Sequence, residues 1–138
     1  MTDLTKEERE DIVYVLEMLT EECHQNSARK GFWTDDYTIL KHLEESDDAA
    51  PLKKHRVNVM ATRLMLIVSE LAEGLEAIRH GNPSSEHIPD FDGLSEELAD
   101  VIIRVCDLAG YLGLNIGNAV VAKMDYNAGR EHMHGKQC

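Results

Sequence analysis

Apolar residues at Leu64, Val68, Leu71, Leu75 and Ile78 recur at intervals of three and four, with Ala61, Met65 and Ala72 widening the stripe. That period belongs to an α-helix and not to a strand, and it predicts one long helix over residues 53–80. The same period returns at Leu98, Val101, Ile102, Val105, Leu108 and Ala109, which form the core stripe of a helix ending near residue 112, with Asp92 or Ser95 to cap its start. A first helix is predicted over residues 4–24, where Thr5 and Glu8 form a capping box and Ile12, Val15, Leu16 and Leu19 an apolar stripe. Gly110 and Gly113 loosen the end of the third helix before a fourth over residues 114–129. Residues 26–52 carry a weaker pattern: a structured connection with a short helix near residues 37–45, the acidic run EESDDAAP, and Gly31 and Pro51 as punctuation. GNPSSEHIPDFDG reads as a loop, and no strand pattern, repeat or low-complexity tract competes. At 138 residues and 43% hydrophobic content, the chain is expected to be a single all-α domain over residues 1–138, a four-helix-bundle-like fold.

Leu64-Met-Leu-Ile-Val68 is apolar around the whole helix circumference. A helix apolar on all sides needs cover on all sides, and four modest helices provide too little. The expectation is a homodimer, or a dimer of dimers, with this helix near the subunit interface.

The formal charge of −12 argues against general binding to a nucleic-acid polymer or an anionic membrane, both of which require a basic patch. No apolar stretch reaches the length of a membrane span, and the start MTDLTKEEREDI is too charged for a signal peptide. Cys23, Cys106 and Cys138 are odd in number and lack C-x-x-C spacing, which reads as free thiols in a reducing compartment, so the expected location is cytoplasmic.

Two acidic pairs share one spacing, Glu70-x-x-Glu73 and Glu97-x-x-Asp100, each on the polar side of a strongly apolar helix. Positions three apart on a helix are neighbours, so each pair can present two carboxylates to one point. Four carboxylates from two packed helices make a hard oxygen site suited to Mg²⁺ or Mn²⁺, and a phosphate-bearing substrate. Arg104 and Asp107 continue the second acidic face at helical spacing. In a chain with 26 acidic residues such a face can also simply solvate a helix, but buried acids without a neutralising cation are costly, and both pairs sit in the most apolar helices. A different metal chemistry, the carboxylate-bridged di-iron bundle, uses Glu-x-x-His pairs, present as Glu21-x-x-His24 and Glu131-x-x-His134, although at a helix end and in the tail. His42, His55, His80 and His87 show no ligand spacing and read as surface groups.

The motifs Ser69-Glu70-Leu-Ala-Glu73 and Glu97-Leu-Ala-Asp100, 23 residues apart, resemble the E-E-x-x-E and E-x-x-D signature of the all-α nucleoside triphosphate pyrophosphohydrolases of the MazG and dimeric dUTPase group, especially its short phage-type MazG-like members. The resemblance runs from NSARKGFW through SELAEGLEAIRHG and SEELADVIIRVCDLAG to KMDYNAGREHMHGK. It implies Glu70, Glu73, Glu97 and Asp100 as Mg²⁺ ligands, and hydrolysis of a nucleoside triphosphate to the monophosphate and pyrophosphate. Ser69 departs from the signature, because a hydroxyl replaces neither a strong base nor a hard ligand; Glu70 and Glu73 are left as the catalytic carboxylates. Lys123, Asn127 and Arg130 resemble the family's phosphate-contacting K-x-x-x-N-x-x-R pattern, with Lys136 as a further candidate. Asn26-Ser-Ala-Arg-Lys-Gly-Phe-Trp33 resembles the segment near the nucleotide, with Asn26, Lys30 and Trp33 as binding residues: the indole stacks a base while Asn26 or His24 reads an edge, or else Phe32 and Trp33 plug the bundle end. The alternative to an enzyme is a non-catalytic acidic helical module that binds a partner.

Overall fold

The computed structural model describes residues 2–130. Within them five helices form the fold: α1 (Lys6–Arg29), α2 (Thr34–Glu44), α3 (Ala49–Arg79), α4 (Gly93–Leu112) and α5 (Ile116–Ala128). No strand occurs among the described residues; one isolated bridge, Ser84 to Asp92, closes the α3–α4 loop. No single helix there is long and apolar enough to cross a membrane.

The helix starts follow the expected caps. Thr5 and Glu8 form a capping box on α1, and the Asp92 carboxylate accepts from the Ser95 amide (2.7 Å) to start α4. α2 starts earlier than expected, at Thr34, and two long helices exceed their expected length. α3 begins at Ala49 because Asp48 caps it through the Ala50 amide (2.9 Å), and Pro51 falls in its first turn, where a missing N–H costs nothing. α1 runs to Arg29 because His24 and Ser27 are fixed to α4.

α3 and α4 pack antiparallel, α4 packs on the C-terminal half of α1, α5 on the N-terminal half of α1, and α2 against α3. Gly110 does not loosen α4. It is where α1 crosses, and a Cβ there would lie 2.6 Å from the His24 Cβ. The helix ends at Gly113, whose left-handed backbone (φ +64°) suits glycine.

The main departure from expectation concerns which face is inside. Glu70 is 5% exposed, whereas Leu64, Met65, Val68, Leu71, Leu75 and Ile78 on the same helix are all exposed. In α4 the expected core residues Leu98, Val105 and Ile102 are exposed as well, Ile102 to 53%; Leu108 and Ala109 are buried. The hairpin therefore turns carboxylates toward its own seam and apolar side chains outward. The reading of the α4 stripe as core is corrected at Leu98, Ile102 and Val105, and the physical reason is that α3 and α4 meet across Glu70, Gly74 and Glu97, with an ion pair from Arg104 to Glu70 (2.6 Å) compensating the burial.

The apolar core lies at one end, around Trp33, Val59 and Leu108, with Ala28, Ile67 and Tyr111 packed against it. Trp33 is fully buried. Tyr111 stacks on its ring (centroids 4.0 Å apart), the Arg63 guanidinium lies over it at 4.0 Å, and its Nε1–H donates to Asp107 (2.8 Å). Asp107 also accepts from Ser27 Oγ (2.7 Å) and pairs with His24 Nδ1 (2.8 Å), so one carboxylate joins α1, the α1–α2 corner and α4. At the far end Arg9 pairs with Asp125 (2.5 Å), a hydrogen bond that holds the Asp125 carboxyl well below the usual carboxylate range. The hub predicts an order of costs: Asp107→Ala, which takes a hydrogen-bond partner from buried Trp33 and from half-buried His24 and Ser27, lowers unfolding free energy by about 3–5 kcal/mol, whereas Trp33→Phe, losing one hydrogen bond and some contact, costs about 1–2 kcal/mol. Urea unfolding of the two variants checks it; equal costs contradict the hub.

Candidate metal centre

Glu70, Glu97 and Asp100 each offer a carboxylate oxygen such that the three lie within 4.8 Å of one another, the only grouping of this kind among the described residues. The helical offset explains it: Glu97 and Asp100 stand one turn apart on α4, and Glu70 faces them from α3. Gly74, one turn beyond Glu70, lets α4 come close, with the Glu97 Cβ 3.4 Å from where a Cβ at Gly74 would stand.

Crowding shows in the proton affinities. Burial, reinforced by the charges of Glu73 and Glu70, raises the Glu97 carboxyl above its ordinary value. Burial, then repulsion by Glu70, raises Asp100, with Arg104 opposing. The adjoining Glu96 runs the other way, lowered by hydrogen bonds from Ser85 and His87, whose imidazole is raised in turn by Glu96 (Nδ1 to Oε1 2.6 Å).

Of the four expected ligands, three converge. Glu73 is exposed and stands outside the trio, near enough to Glu97 to repel it. Ser69 has no part in the site: its hydroxyl donates to the Leu66 carbonyl of its own helix (2.7 Å). The di-iron arrangement gains nothing, since His24 is spent between Asp107 and the Tyr37 hydroxyl (3.0 Å), Glu21 is hydrogen-bonded to Gln25, and Glu131 and His134 lie outside the described residues. His55 is not a surface group; it is mostly covered, 3.6 Å from Asp36.

The substrate-binding residues divide. Trp33 has no ring face left for a base, a correction caused by its burial between Tyr111 and Arg63; of the two readings of Phe32-Trp33, packing holds for the tryptophan. His24 is likewise committed and reads no base edge. Asn26 and Asp100 line one cavity of about 210 Å³. Lys30 is exposed at the C-cap of α1. Lys123, Asn127 and Arg130 are not brought to the carboxylates within one chain. They ride on α5, with Lys123 and Arg130 over the Tyr126 ring, and α5 is tied to α1 at Arg9, while the cavity meets α1 at Cys23, Asn26 and Ser27. Arg9 and Cys23, the nearest of the three, are about 21 Å apart at 1.5 Å per residue. Lys136 lies outside the described residues. Sequence reasoning gave no role to Arg63 or Arg104, and none but packing to Phe32, all of which line the same cavity; the signal for Arg104 was its place one turn beyond Asp100 on the acidic face.

No protein-family model, no curated protein and no solved structure matches the chain.

A carboxyl with a raised folded-state pKa stabilises the fold while protonated, a contribution present below about pH 4 and lost as pH rises through the raised value. For Glu97 the sign is therefore destabilising at neutral pH. Glu97→Gln is expected to raise the melting temperature at pH 7 by roughly 2–4 °C, to change it little at pH 4, and to lose any stabilisation by Mg²⁺. Melts at the two pH values check this; a lower melting temperature at pH 7 contradicts the assignment.

Proposed function

We propose that the chain is a divalent-cation-dependent nucleoside triphosphate pyrophosphohydrolase of the MazG-like kind, cleaving nucleoside or deoxynucleoside triphosphates to the monophosphate and pyrophosphate. The observation that carries the proposal is the gathering of acid at a helix seam: buried Glu70 and half-buried Glu97 and Asp100 converge within 4.8 Å in a hairpin that turns most of its apolar side chains outward. Burying carboxylates there while leaving leucine and isoleucine in water is unfavourable unless the acids have a ligand and the apolar faces a partner.

The donor set fits a hard cation, all carboxylate oxygen with no soft ligand, which favours Mg²⁺ or Mn²⁺. Glu70, Glu97 and Asp100 would hold it. A bound divalent cation supplies charge to the phosphate oxygens of an otherwise repelled substrate. Glu73, outside the trio and open to solvent, is the carboxylate left to orient a water molecule and take its proton as the water oxygen attacks phosphorus and the bond to the departing pyrophosphate breaks. Glu70 is less suited to that task, being held by Arg104.

The exposed stripes of α3 and α4 are assigned to a second copy of the chain, making a homodimer or dimer of dimers. A contiguous apolar surface on two adjacent helices is the kind an obligate interface buries. The cations of α5, remote from the carboxylates of their own chain, are then available to a neighbouring one.

Two outcomes test this reading. Product analysis with Mg²⁺ and a panel of nucleoside and deoxynucleoside triphosphates is expected to yield monophosphate plus pyrophosphate, with Asp100→Asn slower by about a thousandfold or more; no turnover on any member favours the partner-binding module. Analytical ultracentrifugation is expected to find a dimer or larger, with Val68→Glu raising the dissociation constant about thirtyfold or more; a wild-type monomer at high concentration contradicts the interface.

A further inference from the structure

Glu70 has an occupant already. Arg104 Nη2 lies 2.6 Å from its Oε1, on a carboxylate that is 7% exposed, while the Arg104 side chain itself is 42% exposed. The guanidinium thus stands at a boundary, with buried acid on one side and the cavity of about 210 Å³ on the other. Asp100, a member of the trio, also faces that cavity, so a ligand gathered at the carboxylates extends into it.

We propose that Arg104 and a divalent cation compete for Glu70, and that the guanidinium released by the cation turns into the cavity to hold the phosphate chain of a metal-chelated nucleotide. The inference rests on the pyrophosphohydrolase reading and adds to it a second role for one residue, which couples cation binding to anion binding. Three observations support it. A cation and a guanidinium on the same carboxylate repel each other, and the more exposed partner, on a flexible stem, is the one free to move. The place it moves to can take an anion, because its wall includes Arg63, anchored by Asp36 (3.0 Å) and the Phe32 carbonyl (2.6 Å), and Asn26, while of the two carboxylates in that wall Asp100 belongs to the trio and Asp107 is engaged by Trp33, Ser27 and His24. And the cations of α5 belong to the far end of α1, which leaves Arg63 and Arg104 as the positive charges lining this cavity in a chain of net charge −12. The planar fork of arginine matches two phosphate oxygens as well as it matches Glu70, so the exchange replaces one charge-assisted pairing with another.

The competing account is that Arg104 is a fixed brace, holding Glu70 in place for the cation. The two differ in the sign of one measurement. Calorimetric titration of Mg²⁺ alone, then of inorganic tripolyphosphate with Mg²⁺, is made on the wild type, Arg104→Gln, Arg104→Lys and Asp100→Asn. Exchange predicts that Arg104→Gln binds Mg²⁺ alone about tenfold tighter, its competitor being gone, and Mg-tripolyphosphate about tenfold weaker. Arg104→Lys keeps the charge and the fold but loses the fork, so its Mg²⁺ affinity stays near wild type and its tripolyphosphate affinity falls. Should Arg104→Gln not fold, the lysine variant decides, and undiminished tripolyphosphate binding overturns the proposal. Mg²⁺ binding that is unchanged or weakened in Arg104→Gln overturns it in favour of the brace, while Mg²⁺ binding by the wild type and its loss in Asp100→Asn leave the metal reading standing. If the wild type binds no Mg²⁺, the metal reading fails and the exchange fails with it.

Discussion

The burial of Glu70 between α3 and α4 constrains the rest of the molecule. A carboxylate removed from water must find a counter-charge, and Arg104 supplies one across the seam. Because the stretch of seam around Glu70 holds acids, arginine and a glycine, with Leu94 against that glycine, most apolar residues of the two stripes have only the outside to face. The long helices therefore do not make a conventional bundle core with each other. The buried apolar core lies instead at the end where α1, the α1–α2 corner, α3 and α4 meet, and the leucines, valines and isoleucines of the outward stripes stay exposed.

That displaced core positions the candidate site. Asp107, three residues beyond Arg104, collects Trp33, Ser27 and His24, and so fixes the C-terminal end of α1 and the following corner against α4. The residues pinned in this way flank the ones that line the cavity: Asn26 beside Ser27, and Phe32 beside Trp33. Trp33 thus acts one step away from any ligand. Its neighbour Phe32 is 67% exposed, its carbonyl gripped by Arg63, and it forms part of the wall that Trp33 cannot. One buried carboxylate organises the cavity, and three others close by organise the candidate metal centre.

The sequence carried the helices well, since capping residues and the three-four spacing act locally: Thr5 with Glu8, and Asp92, cap the helices they were expected to cap. The Glu70, Glu97 and Asp100 convergence was legible for a similar reason, because i to i+3 geometry holds wherever the helix goes. What a single sequence could not give was direction. An amphipathic helix has two faces, and an apolar stripe looks the same whether it faces its own chain or another, so Ile102 and Val105 were expected in the core and are exposed. Trp33 was ambiguous for the matching reason, as an indole serves equally for packing and for stacking; only the neighbours Tyr111, Arg63 and Asp107, distant in sequence, decide between them. The α5 residues stand apart from the carboxylates of their own chain, a distance that spacing along one helix does not encode. Arg104 sat in view on the acidic face, but its ion pair with Glu70 depends on how two helices cross.

The claim on which the account turns is that the seam between α3 and α4 is a cation site. The most direct test is anomalous diffraction from crystals grown with Mn²⁺, collected on both sides of the manganese edge. The account predicts a manganese peak bounded by Glu70, Glu97 and Asp100, with metal–oxygen distances of about 2.1–2.2 Å. Well-diffracting crystals with no manganese peak at that seam, or with manganese bound only elsewhere, would contradict it.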